Sequence, residues 1–262
     1  MANFVKDIIR YVHIFYLLLR TKFKAQINIE GPVLFIAPHP DDEALGCGGL
    51  LASICLLSKR SHVIILTGGG GALRNHSAID EGTVINKRRK LALKSAKELG
   101  IPKDNVHFLD FIDGQISERP EKEMQRLKEL INEIKPSAIL VPHSGEGWPD
   151  HIATREIILS LFNTSESEMK TNKVYGNTAT NIQHSISIYE YCVWMWYYNV
   201  WNLDWKNALK FHMRKEEHQK KLKAIKTYIE PLSSNGKPWS GVLPQPFIYA
   251  NTRSTELYFR IR

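Results

Sequence analysis

The amino-acid sequence predicts an α/β fold, three layers with a mostly parallel sheet at the centre. Three observations carry this. Between residues 33 and 162 short apolar runs alternate with amphipathic stretches. The runs are rich in Val, Ile and Leu, as strands covered on both faces are. At 262 residues, with 43% hydrophobic and 24% charged residues, the chain suits one folded core and lacks the composition of a disordered one.

Taken in order, residues 4–24 (FVKDIIRYVHIFYLLLRTKFK) are apolar with Lys6, Asp7, Arg10, Arg20, Lys22 and Lys24 interspersed. The longest uncharged stretch, residues 11–19, is too short to span a bilayer. A basic, aromatic-rich helix of this kind either lies in the membrane interface, giving peripheral membrane contact, or packs on the protein's own surface. Residues 1–30 are read as this amphipathic helix and residues 31–262 as one α/β domain. The elements that follow are a strand at 33–38, a helix from Asp42 to about Lys59, a strand at 62–67, and a helix through KRRKLALKSAKELG stopped by Gly100 and Pro102. Then come a strand at 105–111, a helix at 121–134, a strand at 137–142 and a helix over about 150–162. Residues 163–184, polar and turn-rich, read as a long loop or lid. Residues 186–198 read as a further strand, 203–229 as one or two helices, and 254–262 as a closing strand.

Net charge is +8, which favours anionic partners without naming one. Nucleic acid is disfavoured: there is no zinc-finger spacing, RNP-like aromatic motif or basic heptad region. Much of the charge, as in residues 87–90 and 215–226, fits solvated helix faces. No signal-peptide cleavage pattern occurs, and the sparse cysteines Cys47, Cys55 and Cys192, without CxxC spacing, fit a reducing, cytoplasmic setting.

Chemistry concentrates after the first and fourth buried strands, at HPDDE (residues 39–43) and HSGEGWPDH (residues 143–151). Ligands of open α/β sheets bind beyond the carboxyl ends of the strands, so the two segments are expected to meet in one crevice. A carboxylate at a helix start can merely cap the helix. An imidazole and a carboxylate in one turn also offer two ligands for a borderline metal and leave the neighbouring carboxylate free as a base. A third ligand is needed, and His151 and His143 compete for the place.

The motif HPDDEALGCGG resembles that of the PIG-L/LmbE-like zinc-dependent de-N-acetylases, and the likeness extends over about residues 32–160 through ILTGG, FLDFIDG and PDHIATRE. The resemblance implies an LmbE-like, Rossmann-like fold and removal of an acetyl group from an N-acetylglucosamine-type sugar, with phosphorylated and lipid-linked forms among the candidates. It implies zinc, with iron(II) as alternative, held by His39, Asp42 and His151, and Asp41 as general base. Arg88 and Asp113 fall where the family contacts its substrate. One departure is Trp148: where the family often has His in HPDH, this chain reads WPDH. An indole can stack on a sugar but cannot shuttle protons. His143 or Glu146 then become candidates for the acid role, a further reading is a glycan- or lipid-binding relative that has lost turnover, and a third is an amidase acting on another small N-acylated metabolite.

Overall fold

Val33 to Ala37 alternate their side chains across the middle of the sheet. Val33, Phe35 and Ala37 enter one apolar cluster and Leu34 and Ile36 the other, which is why this run has no polar face. The structure, a computed structural model, describes residues 2–57, 60–74, 79–172, 186–198 and 201–261. In chain order its elements are α1 (Ala2–Lys22), β1 (Ala25–Gln26), β2 (Val33–Ala37), α2 (Asp42–Leu56), β3 (Ser61–Thr67), α3 (Glu81–Leu99), β4 (Val106–Phe111), α4 (Glu121–Ile134), β5 (Ala138–Pro142), α5 (Pro149–Asn172), β6 (Ser187–Tyr191), β7 (Ala208–His212), α6 (Lys215–Ile229), α7 (Gln245–Asn251) and β8 (Thr255–Arg260).

The strands form one sheet in the order β1-β7-β8-β6-β5-β2-β3-β4. Strands β2 to β6 pair in parallel, and β8 runs antiparallel to β6 and β7. Helices α2, α3 and α6 contribute to the cluster on one face, and α4 and α5 to the cluster on the other, giving the three layers. A third cluster joins Ile14 and Leu17 of α1 to Leu257 and Phe259 of β8. The strand order departs in opposite directions on the two sides of β2, so the loops leaving β2 and β5 open into the same crevice.

Three expectations need correction. The stretch expected as a lid is helical over residues 163–172, where α5 runs on to Asn172. No Gly or Pro interrupts the chain from residue 150 to 175, and Glu, Met and Lys sustain the helix. The rest of that stretch, residues 173–184, lies outside the described residues. The expected strand over 186–198 pairs only as far as Tyr191, because the next backbone N–H groups, of Val193, Trp194 and Met195, donate to the carboxylate of Glu146 instead of to a neighbouring strand. The expected helix over 203–229 begins with β7, whose buried Ala208 and Phe211 flank more exposed positions, before α6 starts at Lys215.

Close packing of α2 on the sheet depends on Gly46. A Cβ built there would lie 2.6 Å from the Tyr191 ring, which is fully buried and whose hydroxyl donates to Ile36 O at 2.9 Å. We expect Gly46→Ala to lower stability by about 1–2 kcal/mol, the overpacking of a rigid ring outweighing the gain in helix propensity. A lower urea midpoint with an unchanged slope checks this.

Candidate metal centre

The turn after β2 places four functional side chains. Pro38 O accepts from Thr67 N and Oγ1 at 3.0 Å each, tying the end of β2 to β3. Asp41 then adopts φ +116°, rare for a residue with a Cβ. Its carbonyl opens α2 by accepting from Ala44 N and Leu45 N, while its side chain makes no cap. The left-handed backbone is held by Glu43, whose Oε2 accepts from Asp41 N at 3.0 Å. Glu43 is in turn held by Ser95 and by Tyr228, whose hydroxyls donate to Oε1 at 2.8 and 2.6 Å. The side chain of Asp41 is thereby released from capping and turned to Arg88, 2.9 Å away.

Arg88 is buried, and its terminal nitrogens also donate to Gly69 O and Pro40 O. Gly69 has φ +63°, and a Cβ there would lie 2.1 Å from Arg88 Nη1, so only glycine lets the guanidinium reach this place. Arg88 lines the cavity, but its described partners are backbone and Asp41. Burial raises the Asp41 pKa to about 7, against the lowering pull of Arg88.

His39, Asp42 and His151 converge. Nδ1 of His39 and Nε2 of His151 each lie 3.6 Å from the same Asp42 oxygen, and the three candidate ligand atoms fall within 4.8 Å of one another. A tetrahedral zinc at ordinary bond lengths separates its ligands by roughly 3.4 Å, so the donors fit such an ion. Backbone and side chains fix each one. Asp42 Oδ2 accepts from His39 N at 3.0 Å. His151 starts α5 from inside the crevice, and its Nδ1 lies 3.3 Å from Glu146 Oε2, close but off the hydrogen-bond axis. On the far side of His39, Nε2 faces Asp150 at 3.2 Å and Asp113 at 3.3 Å. Those carboxylates are themselves positioned by Gly114 N on Asp150 and Gly71 N on Asp113. They fix the tautomer with hydrogen on Nε2 and leave Nδ1 toward Asp42.

Burial alone would lower the His39 pKa, but hydrogen bonds to Asp113, Asp150 and Asp42 raise it well above its ordinary value. A metal at His39 therefore competes with a proton that is held more tightly than on an ordinary imidazole. Affinity for Zn²⁺ should rise with pH, about tenfold per unit, until the His39 pKa is passed and then level off. Isothermal titration of the metal-free protein over a pH series measures this slope.

The cavity of about 520 Å³ is lined by His39, Asp41, Asp42, Arg88, Asp113 and His151 together with Trp148, Trp194 and Phe247. Trp194 stacks on Phe247 at 4.1 Å between centroids, and Trp148 leans on Trp194 at 5.5 Å. Trp148 is 43% exposed. Of the aromatic residues at and just after β6, Trp194 lines the cavity, whereas Tyr191 and Trp196 are core. Neither candidate acid faces the cavity. His143 Nδ1 accepts from Gly145 N, its Nε2 lies 3.8 Å from Glu190, and its ring packs on Phe259. Glu146 is fully buried behind His151. The sequence reading missed the Glu43–Tyr228 support and the use of Asp150 against His39. Both carboxylates stood inside the motifs, but their partners come from distant segments.

Fold and site together define a doubly wound α/β protein with a cluster of N/O donors that could hold a metal ion at the switch point of its sheet. Residues 34–162, just under half of the chain, match the family PIG-L: GlcNAc-PI de-N-acetylase. The diacetylchitobiose deacetylase of Thermococcus kodakarensis is 29% identical over 133 residues, 50% of this chain and 48% of that protein. The chain spans about half to three-fifths of the length of such curated relatives. The structure of the N,N'-diacetylchitobiose deacetylase from Pyrococcus horikoshii superposes with a TM-score of 0.56 at 20% identity, covering 75% of this chain and 68% of that one. GalB, the 4-carboxy-2-hydroxymuconate hydratase of Pseudomonas putida KT2440, superposes with 0.58 at 19% identity, covering 76% and 78%. Likeness at this level defines the fold and not the reaction.

Proposed function

We propose that the chain is a metal-dependent hydrolase that removes the acetyl group from an N-acetylglucosamine-type sugar. The observation that carries this is that Asp41 stands beside, but outside, the His39–Asp42–His151 set and lines the same cavity as Trp148 and Trp194. Zinc is the proposed ion, with iron(II) second; when bound there, it supplies polarisation of the acetamide carbonyl and a water acidified enough to attack it. Asp41 takes the proton of that water, and Arg88 orients its carboxylate and stabilises the charged form. With His143 and Glu146 turned away, the same Asp41 carboxyl returns the proton to the departing nitrogen, giving acetate and a free amine. Asp113 and Asp150 serve as positioning residues for His39, and Trp148 serves as a stacking surface.

The amphipathic helix expected over residues 1–30 ends at Lys22, and Ala25–Gln26 join the sheet beside β7; α1 is proposed as docked on a single α/β domain that starts with β1, in a cytoplasmic protein peripheral to the membrane. Among the described residues no helix is long and apolar enough to cross a membrane. Peripheral placement would suit a lipid-linked or phosphorylated acceptor. Acetate release from a panel of N-acetylglucosamine conjugates by the zinc-loaded protein tests the activity. No release across the panel, with sugar binding intact and unchanged in Asp41→Asn, would sink the reading and favour a glycan-binding protein.

A further inference from the structure

Helix α1 has two apolar faces, and the fold uses one. His13, Ile14, Leu17 and Thr21 are buried against the body of the protein. The opposite side presents Val5, Ile8, Ile9, Val12, Phe15 and Leu19 to solvent, with Val12 59% and Phe15 67% exposed. At 3.6 residues per turn these six fall within an arc of roughly 120° that contains no charge. Phe23, 78% exposed just beyond the helix, continues the line. A contiguous apolar strip of this length on a folded surface marks an interaction face.

We propose that this face docks the protein on an anionic phospholipid bilayer, with α1 lying in the plane of the headgroups. The charge beside the strip selects this occupant. Residues 5–24 contain five basic side chains, Lys6, Arg10, Arg20, Lys22 and Lys24, against the single acid Asp7. On the helical wheel Arg20 and Lys22 border the strip on its two sides. Phosphate headgroups would meet cations at both borders while the strip enters the acyl boundary. A second copy of the chain would instead bring the same cations against each other. Trp201, 55% exposed and 4.6 Å between centroids from His13, stands at the border on the Arg20 side, a place that suits an indole at a membrane interface.

The same helix packs on residues next to those that line the cavity. Tyr11 packs on Tyr249 of α7 at 5.4 Å, and Phe247 of that helix lines the cavity. Arg10 lies 3.8 Å over the Tyr197 ring, which packs edge-on against Trp194. Docking through α1 therefore holds the aromatic wall of the cavity beside the bilayer. This inference rests on the peripheral placement proposed above and not on the hydrolytic chemistry.

Co-sedimentation of the full chain with vesicles tests it, comparing pure phosphatidylcholine with a phosphatidylcholine–phosphatidylglycerol mixture. The protein should pellet with the anionic vesicles and be released by salt. Val12→Glu/Phe15→Glu should reduce the partition coefficient at least tenfold, and Lys6→Gln/Lys22→Gln should reduce it about fivefold per lysine. Circular dichroism and acetate release from soluble conjugates, unchanged in both variants, show that the fold and the proposed chemistry are intact and so separate the two hypotheses. The lysine variant, altered only at exposed positions, keeps the test open should the glutamate variant unfold. Equal pelleting of wild type and variants would overturn the proposal. So would failure of the wild type to bind anionic vesicles, or a dimer abolished by the glutamates with no vesicle binding.

Discussion

Asp41→Asn should retain its metal and lose acetate release by about 10²- to 10⁴-fold, the range that a positioned general base supplies. The substitution is near-isosteric, and asparagine tolerates the left-handed backbone that Asp41 adopts at φ +116°. The turn, the Glu43 contact to its N–H and the start of α2 should therefore survive. What disappears is the charge facing Arg88 and the ability to hold a proton. The rate should fall in kcat with little change in KM, because the group acts in proton transfer and not in binding. Metal content by mass spectrometry and the kcat/KM split together check this. Loss of metal along with rate would show that Asp41 is a ligand, and retention of full activity would remove it from the mechanism.

Much of the fold was legible because its central strands are apolar on both faces, a pattern that only a covered parallel sheet satisfies. The run from β2 to α5 could be read in order for this reason, and α4 coincides with its expected bounds. The C-terminal half was less legible. β7 is a short strand that precedes a strongly helical sequence and takes its identity from pairing with β1 and β8. The end of β6 is decided by a side chain from elsewhere, since Glu146 claims three backbone donors. Such long-range hydrogen bonds leave no periodicity behind.

The site divides in the same way. His39, Asp41 and Asp42 are adjacent in sequence, and β2 and β5 are neighbours in the sheet, so their meeting with His151 follows from topology. The environment of each group does not. That Arg88 would reach Asp41 depends on Gly69 leaving room for its guanidinium. That the His39 pKa is raised despite burial depends on Asp113 and Asp150 arriving from the loop after β4 and the start of α5. Sequence names the reactive groups, while packing decides their protonation and orientation.

His151→Ala should abolish metal binding and activity together, whereas His143→Ala should keep both. The two histidines bracket the same segment, and distance alone separates their roles. His151 Nε2 lies 3.6 Å from Asp42, and its ring centroid is 5.6 Å from that of His39. His143 is directed to Glu190 and Phe259. Losing an outer partner of a metal ligand typically costs 10–100-fold in affinity, so losing the ligand itself should exceed about 100-fold. Glu146→Gln supplies the intermediate case. Its carboxylate stands behind His151 Nδ1 and also anchors residues 193–195, so the amide should weaken Zn²⁺ binding within that 10–100-fold range and lower the melting temperature. His143→Ala should show a stability loss without a metal defect, because the buried imbalance it leaves is at Gly145 N and Glu190. Competition titrations with a chromophoric zinc chelator would rank the three variants. If His143→Ala is the one that loses zinc, the ligand set is wrong and the third donor comes from the strand end instead of the helix start.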